Sequence, residues 1–216
     1  MLKAEFILTG EMPLLMHPDD VEASDSLKAW RQDPANKNAS VPGDDRSPAW
    51  TWQTNLYSDG QFVTIPSANL MVSMRQAGSQ LILKKQKTYK EISQSGLLIP
   101  TEFLHFSIDG TKQIAIADCH KLREMQFAKQ ASAVRDMGFR LFVKRAKIGT
   151  SKHVRVRPRF DKWQLKGSIN ILTPDISWDT LGTLFDLAGR VGLCDWRPGC
   201  KTPGPYGMFT TKIKKC

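Results

Sequence analysis

Hydrophobic and polar positions along the chain predict regular elements near both of its ends. Apolar residues alternate with polar ones over residues 2–8, which predicts a strand. Residues 66–81 open with a proline and carry apolar side chains at helical spacing, and residues 177–191 repeat that spacing after the capping residue Ser177. Alternation returns over residues 209–213. The pattern therefore predicts a strand and a helix early in the chain, and a helix and a strand at its end.

Another alternating pattern lies in the densest basic stretch, residues 140–166. Over residues 153–160 arginines leave one face of a strand and apolar residues leave the other, and residues 163–171 alternate in the same way. A short turn separates the two runs, so they predict an antiparallel hairpin with one apolar face and one basic, polar face. The basic face of its first strand carries Arg155, Arg157 and Arg159.

Two stretches interrupt these elements and are predicted to be insertions. Residues 17–60 are rich in Asp, Ser, Asn and Pro, and we interpret them as an acidic arm. We interpret residues 84–150 as a basic, thumb-like lobe that contains a strand pair over residues 97–118, turned at Asp109 and Gly110. The tryptophans of the acidic arm either stack on bases or on a neighbouring subunit, or pin the arm to its own domain. We favour the latter for all three: Trp30, Trp50 and Trp52.

Without the insertions, the elements follow the order strand, helix, strand, strand, helix, strand. This order predicts a single α+β domain over residues 1–216 with a ferredoxin-like, RRM-like βαββαβ core, in which two helices cover one face of an antiparallel sheet. The hairpin of residues 153–171 supplies the second and third strands of that sheet. The open face of such a sheet commonly binds single strands, although a fold alone does not establish a function.

The net charge of +10 is spread unevenly. Residues 1–60 carry ten acidic and five basic side chains, so the basic excess lies beyond residue 60. Such an excess favours a nucleic-acid partner, because neutralising phosphates releases counterions, although it also serves solubility alone. Alternate residues of one strand stand about 7 Å apart, close to the backbone repeat of an extended single strand. The row of arginines therefore either contacts phosphates, which we favour, or pairs with acids of the chain itself.

We predict contacts to single-stranded RNA, or to single-stranded DNA, from the basic regions and from the loop before the last strand. That loop is far longer than the usual connection of about four to six residues, and its glycines would let backbone amides point together at an anion. In the alternative hypothesis Gly192 caps the helix, the prolines stiffen a solvated loop, and the lysines are solvated surface. The predicted contacts are Arg155, Arg157, Arg159, Lys144, Arg145, Lys147, Lys84, Lys85, Lys87, Arg190, Gly192, Trp196, Arg197, Lys201, Gly204 and Gly207.

The cysteines predict neither a disulfide scaffold nor a metal site. Zinc held by Cys119, His120, Cys194 and Cys200 would lack the paired spacing that such sites use, so we interpret the thiols as idle and expect no cofactor. No apolar run approaches the roughly 20 residues of a membrane span, and the first residues lack the order of a signal peptide. We therefore expect a cytoplasmic protein that does not engage membranes.

Three features of the core coincide with a known family. The first strand ends in Gly-Glu-Met-Pro-Leu-Leu-Met at residues 10–16, the first helix opens with Ile-Pro-Ser-Ala-Asn-Leu at residues 65–70, and the C-terminal loop alternates glycines with apolar residues. With them the chain resembles the RAMP superfamily of CRISPR-associated proteins, most of all the backbone subunits that polymerise along a guide RNA. It also resembles small phage proteins that carry Asp-Trp-Arg-Pro near the C-terminus, here residues 195–198.

The resemblance implies a subunit with an RRM-type palm and inserted lobes that packs head-to-tail with its own copies on guide RNA. Further CRISPR effector subunits are expected partners. The chain is short for the family. Its length leaves two roles open, a subunit of an effector complex and a phage-encoded mimic of such a subunit. A phage protein that binds and inhibits a host complex is a further alternative.

The other alternative is a RAMP-like endoribonuclease. Such enzymes use an acidic residue after the first strand or a histidine, which here indicates Asp19, Asp20 and His153 as candidates. However, Pro-Asp-Asp at residues 18–20 is also ordinary chemistry for the start of a helix, and the sequence shows no second acid–base partner. We therefore expect a protein that binds RNA without cutting it.

Overall fold

The computed structural model describes residues 2–148 and 151–216, so Met1 and the end of the predicted basic lobe, residues 149–150, lie outside the described part. The fold is mixed α+β with a mostly antiparallel sheet. The strands are β1 (Leu2–Gly10), β2 (Leu14–Leu15), β3 (Ile65–Pro66), β4 (Ile82–Lys84), β5 (Lys87–Thr88), β6 (Leu97–Leu98), β7 (Phe103–Ser107), β8 (Arg140–Ile148), β9 (Ser151–Phe160), β10 (Gln164–Ile171) and β11 (Phe209–Lys215). The α-helices are α1 (Val21–Gln32), α2 (Ser67–Gly78), α3 (Lys90–Ser95), α4 (Ile116–His120), α5 (Phe127–Met137) and α6 (Trp178–Val191), and 3₁₀ helices cover Pro34–Asn36 and Ala49–Asn55.

The chain divides into two compact units. Unit 1 comprises Met1–Leu15, Thr64–Gln113 and Asp161–Cys216, and unit 2 comprises Met16–Val63 and Ile114–Phe160. The predicted acidic arm, residues 17–60, thus lies in unit 2, whereas the predicted basic lobe is shared: residues 84–113 belong to unit 1 and residues 114–148 to unit 2.

Unit 1 is built on a sheet with the strand order β11-β1-β10-β7-β3, and β6 pairs with β10. Each of these pairings is antiparallel. Alternate residues of β1 and β10 are buried, as the alternation predicts, and Phe6 of β1 lies 5.4 Å from Phe185 of α6, measured between ring centroids. Gly167 of β10 pairs with Phe6, and a Cβ there would come within 2.6 Å of the Phe6 ring, so this glycine allows the core to close.

Helix α6 follows directly from its sequence. The hydroxyl of Ser177 accepts a hydrogen bond from the backbone N–H of Thr180 at 3.1 Å and so satisfies one of the free amides at the helix start. One stripe of the helix is fully buried, and burial of each large side chain contributes about 1.5–3 kcal/mol. The buried residues are Leu181, Leu184, Phe185, Ala188, Gly189 and Val191.

Unit 2 is organised around the antiparallel pair β8–β9 and a cluster of aromatic rings. Trp52 is completely buried, and its indole N–H donates to Oε1 of Gln130 in α5 at 2.5 Å. Its ring lies 5.8 Å from that of Phe139, which in turn lies 5.1 Å from that of Phe160. Trp50 is also buried. The expectation that tryptophans pin the acidic segment to its own domain is therefore confirmed for Trp50 and Trp52.

The predicted hairpin of residues 153–171 is wrong. Strand β9 pairs with β8, and β10 pairs with β1, β6 and β7. The alternation correctly identified which side chains of each strand are buried, but any strand with one apolar face can meet that requirement. Pattern alone therefore could not distinguish β8 from β10 as the neighbour of β9.

The strand pair predicted over residues 97–118 forms only in its first half. Strand β7 ends at a turn in which Asp109 and Gly110 both have positive φ, 53° and 81°, as expected for a tight turn. An isolated bridge joins Ile108 to Lys112, but Ile116 begins the short helix α4 instead of continuing a second strand.

Candidate nucleic-acid interface

The antiparallel pair β8–β9, here called the basic hairpin, concentrates cations on one face. Directly opposed residues of two antiparallel strands share a face, and alternate residues return to it. One face of the basic hairpin therefore carries a phenylalanine among five cations, namely Arg140, Phe142, Lys144, Arg155, Arg157 and Arg159. The other face is apolar near the base, with Val156 and Pro158 buried, and becomes basic towards the tip.

The register of the basic hairpin places like charges opposite each other. Arg140 faces Arg159, Lys144 faces Arg155, and Lys147 faces Lys152. A like-charge pair across two strands is destabilising, by about 0.2–1 kcal/mol each. The short pair β4–β5 of unit 1 repeats the arrangement with Lys84 opposite Lys87. At the exposed pair Lys147–Lys152, a bound anion would relieve this repulsion.

The carboxylate of Asp45 neutralises part of the positive charge on the basic hairpin. Asp45 is 5% exposed, and its carboxylate accepts hydrogen bonds from Nη1 of Arg155 at 3.0 Å, Nη1 of Arg157 at 3.4 Å and the backbone N–H of Val156 at 3.1 Å. The alternative hypothesis of pairing with acids of the chain therefore holds for Arg155 and Arg157. The guanidinium carbon of Arg159 lies 6.0 Å from the centroid of the Phe142 ring.

The tip of the basic hairpin, formed by Arg145, Lys147 and Lys152, carries positive charge that Asp45 does not neutralise. Arg145, Lys147 and Lys152 are exposed, and none of them has an ion-pair partner among residues 2–148 and 151–216. Lys144 of β8 is also exposed. The predicted contacts that remain most available to a polyanion are thus those nearest the tip, and Lys152 joins them although the sequence did not single it out.

Unit 1 offers a separate basic surface on the face of its sheet opposite the buried residues. The register of three adjacent pairings lines up Lys212, Ile7, Lys166 and His105 in one row across β11, β1, β10 and β7. The neighbouring row holds Lys214, Glu5 and Ser168. The lysines and His105 are exposed. Sequence reasoning missed this surface because it depends on strand order, and its only signals were Lys166 at a polar position of β10 and the alternate lysines Lys212 and Lys214 of β11.

The long C-terminal loop does not form the expected concavity of free amides. The backbone N–H groups of its four glycines already donate within the chain: Gly192 to Ala188 at 2.9 Å, Gly199 to Val191 at 2.9 Å, Gly204 to Arg197 at 3.3 Å and Gly207 to Pro13 at 2.8 Å. Gly192 therefore caps α6, as the alternative hypothesis stated. The structure thus corrects the prediction that Gly192, Gly204 and Gly207 present amides to phosphates.

The same glycines are required by close packing of the loop. A Cβ at Gly204 would overlap Trp196, and one at Gly207 would overlap the carbonyl oxygen of Leu193. Arg197 is engaged as well, since its Nη1 donates to Oε1 of Gln76 in α2 at 2.7 Å. The loop is therefore packed closely against the rest of unit 1.

The other candidates of the loop and of unit 1 lie at the surface. Arg190 and Lys201 are exposed, and so are Lys84, Lys85 and Lys87 at the β4–β5 turn. The Trp196 ring is half-buried and lies 5.4 Å from that of Tyr206.

The catalytic candidates do not come together as a set. Asp20 caps α1 by accepting from the backbone N–H of Ala23 at 3.0 Å, which is the structural role considered from the sequence. Asp19 and Asp20 line a cavity of about 450 Å³ in unit 2 with His17. His153 is not among the described residues that line it, and packs against Gly43 instead.

Two of the four cysteines, Cys119 and Cys194, are buried. Burial raises the pKa of Cys119 to about 12 and also raises the pKa of Cys194. Within residues 2–148 and 151–216 no three His, Cys, Asp or Glu side chains are placed to hold a metal ion. No helix in the described ranges is long and apolar enough to cross a membrane.

Comparison with known proteins gives no family for this chain. No family model matches it, and a search of curated proteins found no significant match.

Proposed function

We propose that the protein binds single-stranded RNA without cutting it, through the basic hairpin and the basic face of the unit 1 sheet. The observation that carries the proposal is the like-charge pair Lys147–Lys152, which is exposed at the tip of the basic hairpin beside Arg145. A phosphate at the tip would neutralise both lysines and so remove the repulsion between them. The alternate spacing of about 7 Å along each strand suits an extended backbone.

The core fits a ferredoxin-like arrangement with one change from the sequence prediction. The order β1, α2, β7, β10, α6, β11 gives βαββαβ, and β1 and β10 lie in the middle of the sheet with β11 and β7 beside them. In this proposal β7 takes the place predicted for residues 153–160. This order supports the resemblance to the RAMP superfamily.

On that basis we assign the protein a role as an RNA-binding subunit of a CRISPR-type effector complex, or of a phage-encoded mimic of one. Copies of the chain would then assemble head-to-tail along the RNA. Sedimentation tests this part of the proposal. Adding a long single-stranded RNA should convert the slowly sedimenting protein into larger species that grow with RNA length, and a constant mass of one chain per RNA would refute the assembly.

Titration of a fluorescent single-stranded RNA tests the binding itself. The logarithm of affinity should fall linearly with the logarithm of salt concentration, by about 0.7 per phosphate neutralised. The triple variant Arg145→Gln, Lys147→Gln, Lys152→Gln should reduce the slope by about 2, since it removes three contacts.

The matched control neutralises three exposed cations elsewhere in unit 2: Lys28→Gln, Lys37→Gln and Lys129→Gln. It carries the same loss of net charge, so it should keep the slope of the wild-type protein if contacts are local. Equal effects of the two triple variants, or affinity that does not depend on salt, would refute the basic hairpin as the binding element.

A further inference from the structure

Strand β8 has an unpaired edge in the part of the chain that the structure describes. Strand β9 pairs with it along one side, and no strand of the described ranges pairs with its other side, here called the outer edge. Val143 is 44% exposed, and Lys144, Arg145 and Lys147 are exposed too. An exposed strand edge is a template on which a strand of another chain can pair.

Hydrogen bonds of β9 show the direction in which its backbone groups point. The N–H of Val154 donates to the carbonyl oxygen of Gly43 at 2.8 Å, and its C=O accepts from the N–H of Asp45 at 3.0 Å. The N–H of Val156 donates to the carboxylate of Asp45 at 3.1 Å, and its C=O accepts from Nδ2 of Asn55 at 3.0 Å. Both valines therefore turn their N–H and C=O groups away from β8.

The register carries this orientation across to β8. Val143 lies opposite Val156, and Arg145 lies opposite Val154. In an antiparallel pair, opposed residues either exchange both of their hydrogen bonds or both point away from each other, and the two kinds alternate. Every second residue of β8 therefore points its N–H and C=O to the outer edge. These residues are Leu141, Val143, Arg145 and Lys147.

The outward backbone groups of these four residues have no hydrogen-bond partner among residues 2–148 and 151–216. Each residue offers one donor and one acceptor, so N–H and C=O alternate along the outer edge. A polypeptide strand carries the same alternation and can satisfy both kinds of group. A phosphate chain offers only acceptors, so the outer edge itself favours a polypeptide over RNA.

Side chains beside the outer edge determine the kind of strand that fits it. Lys144 on one face and Arg145 and Lys147 on the other lie towards the tip of the basic hairpin, whereas Phe142 and Val143 lie further from it. Opposite charges across two strands are favourable, and like charges are not. A strand with acidic residues towards the tip and apolar residues beyond them therefore fits. Strand β8 of a second copy would instead bring the cations of both copies together.

We propose that the outer edge of β8 binds an extended acidic segment of another protein, which pairs with it as an added strand. Backbone hydrogen bonds to the outward residues hold the segment, and its carboxylates lie against Lys144, Arg145 and Lys147. The inference goes beyond the proposed function. The segment and RNA share cations of the tip, but only the segment uses the backbone of β8, so the two proposals can fail separately.

The peptide Glu-Thr-Glu-Glu-Val-Ile-Thr, capped at both ends and labelled with a fluorophore, tests the pairing by anisotropy with the wild-type protein. In antiparallel register its glutamates lie opposite Lys147, Arg145 and Lys144, and its valine lies opposite Val143. The N–H groups of its third and fifth residues then point at β8, whereas those of its second and fourth residues point away from it.

N-methylation of the peptide separates backbone pairing from attraction between charges. Methyl groups on the third and fifth nitrogens should weaken binding about tenfold or more, since two hydrogen bonds are lost, whereas methyl groups on the second and fourth should change it little. A peptide with lysines in place of the glutamates should bind about tenfold more weakly, or not at all. Equal effects of the two methylations, equal binding of the lysine peptide, or no binding of the glutamate peptide at millimolar concentration would overturn the proposal.

Proline at position 143 tests the same contact from the side of the protein. Because the N–H of Val143 points away from β9, Val143→Pro removes a donor of the outer edge and no bond between β8 and β9. The affinity for the peptide should fall about tenfold while the affinity for RNA stays unchanged, and Val143→Thr should keep both. A folded Val143→Pro protein that binds the peptide as tightly as the wild type would refute the pairing. If that variant does not fold, the methylated peptides decide.

Amide exchange measured by NMR locates the bound peptide. In the free protein the N–H groups of Val143 and Arg145 should exchange faster than those of Phe142 and Lys144, which point at β9, and saturating peptide should slow the first pair several-fold. Unchanged exchange of Val143 and Arg145 would contradict the pairing. Sedimentation without peptide should show no dimer through this edge. A dimer that Val143→Pro dissociates would assign the outer edge to a second copy and overturn the acidic partner.

Discussion

Lys152→Glu should make the protein more stable and a weaker RNA binder at the same time. The substitution converts the pair Lys147–Lys152, which faces across the basic hairpin, from two like charges to two opposite ones. Removal of the repulsion and gain of an attraction each contribute about 0.2–1 kcal/mol, so unfolding should require about 0.5–2 kcal/mol more. For a chain of this size that corresponds to a rise in Tm of roughly 1–8 °C.

The effect of Lys152→Glu on binding has the opposite sign. One phosphate contact is lost and a carboxylate now faces the backbone, so affinity for single-stranded RNA should fall about tenfold at low salt, or 1.4 kcal/mol. Thermal unfolding and fluorescence anisotropy measure the two effects, with Lys37→Glu, at another exposed lysine of unit 2, as the control of equal charge change. A less stable variant would refute the repulsion, and a more stable variant with unchanged affinity would refute the contact.

Three further outcomes follow from the packing and charges. Gly207→Ala should destabilise unit 1 by about 1–3 kcal/mol in urea unfolding, because the residue has φ 72° and no room for a Cβ, whereas Gly60→Ala, at φ 94° with open space, should cost less. Asp45→Asn should destabilise the protein by about 1–3 kcal/mol, since it removes the charge that faces two arginines, whereas the exposed control Asp25→Asn should leave the midpoint of urea unfolding unchanged. At pH 8 iodoacetamide should modify the exposed C-terminal cysteine long before Cys119, whose raised pKa leaves almost no thiolate, and equal rates by mass spectrometry would contradict that burial.

Local elements of the fold were predictable because each depends on neighbouring residues. The alternation of residues 2–8 and 209–213 gives β1 and β11, and the spacing of apolar residues with the cap at Ser177 gives α6. Pairing was not predictable in the same way. Strands β8, β9 and β10 each have one apolar face, so the pattern allowed β9 to pair with either neighbour in the chain, and the structure pairs it with β8.

The sequence predicted which residues carry the positive charge of the candidate site, but it predicted their arrangement in space only partly. The sequence located the cations of the basic hairpin, and it allowed acids of the chain to compete for them. Which acid reaches Arg155 and Arg157 depends on how residues 43–45 run beside β9, where the backbone N–H of Asp45 donates to Val154 at 3.0 Å. The row that includes Lys166 and Lys212 likewise depends on strand order, which no short-range pattern encodes.

Lysine footprinting tests the role of the basic hairpin most directly, because it uses the unmodified sequence. The protein is acetylated briefly with and without single-stranded RNA, and the extent at each lysine is measured by mass spectrometry. Lys147 and Lys152 should become several-fold less reactive when RNA is bound, while Lys28 and Lys37 should react as before. Unchanged acetylation of Lys147 and Lys152 at saturating RNA would contradict the account.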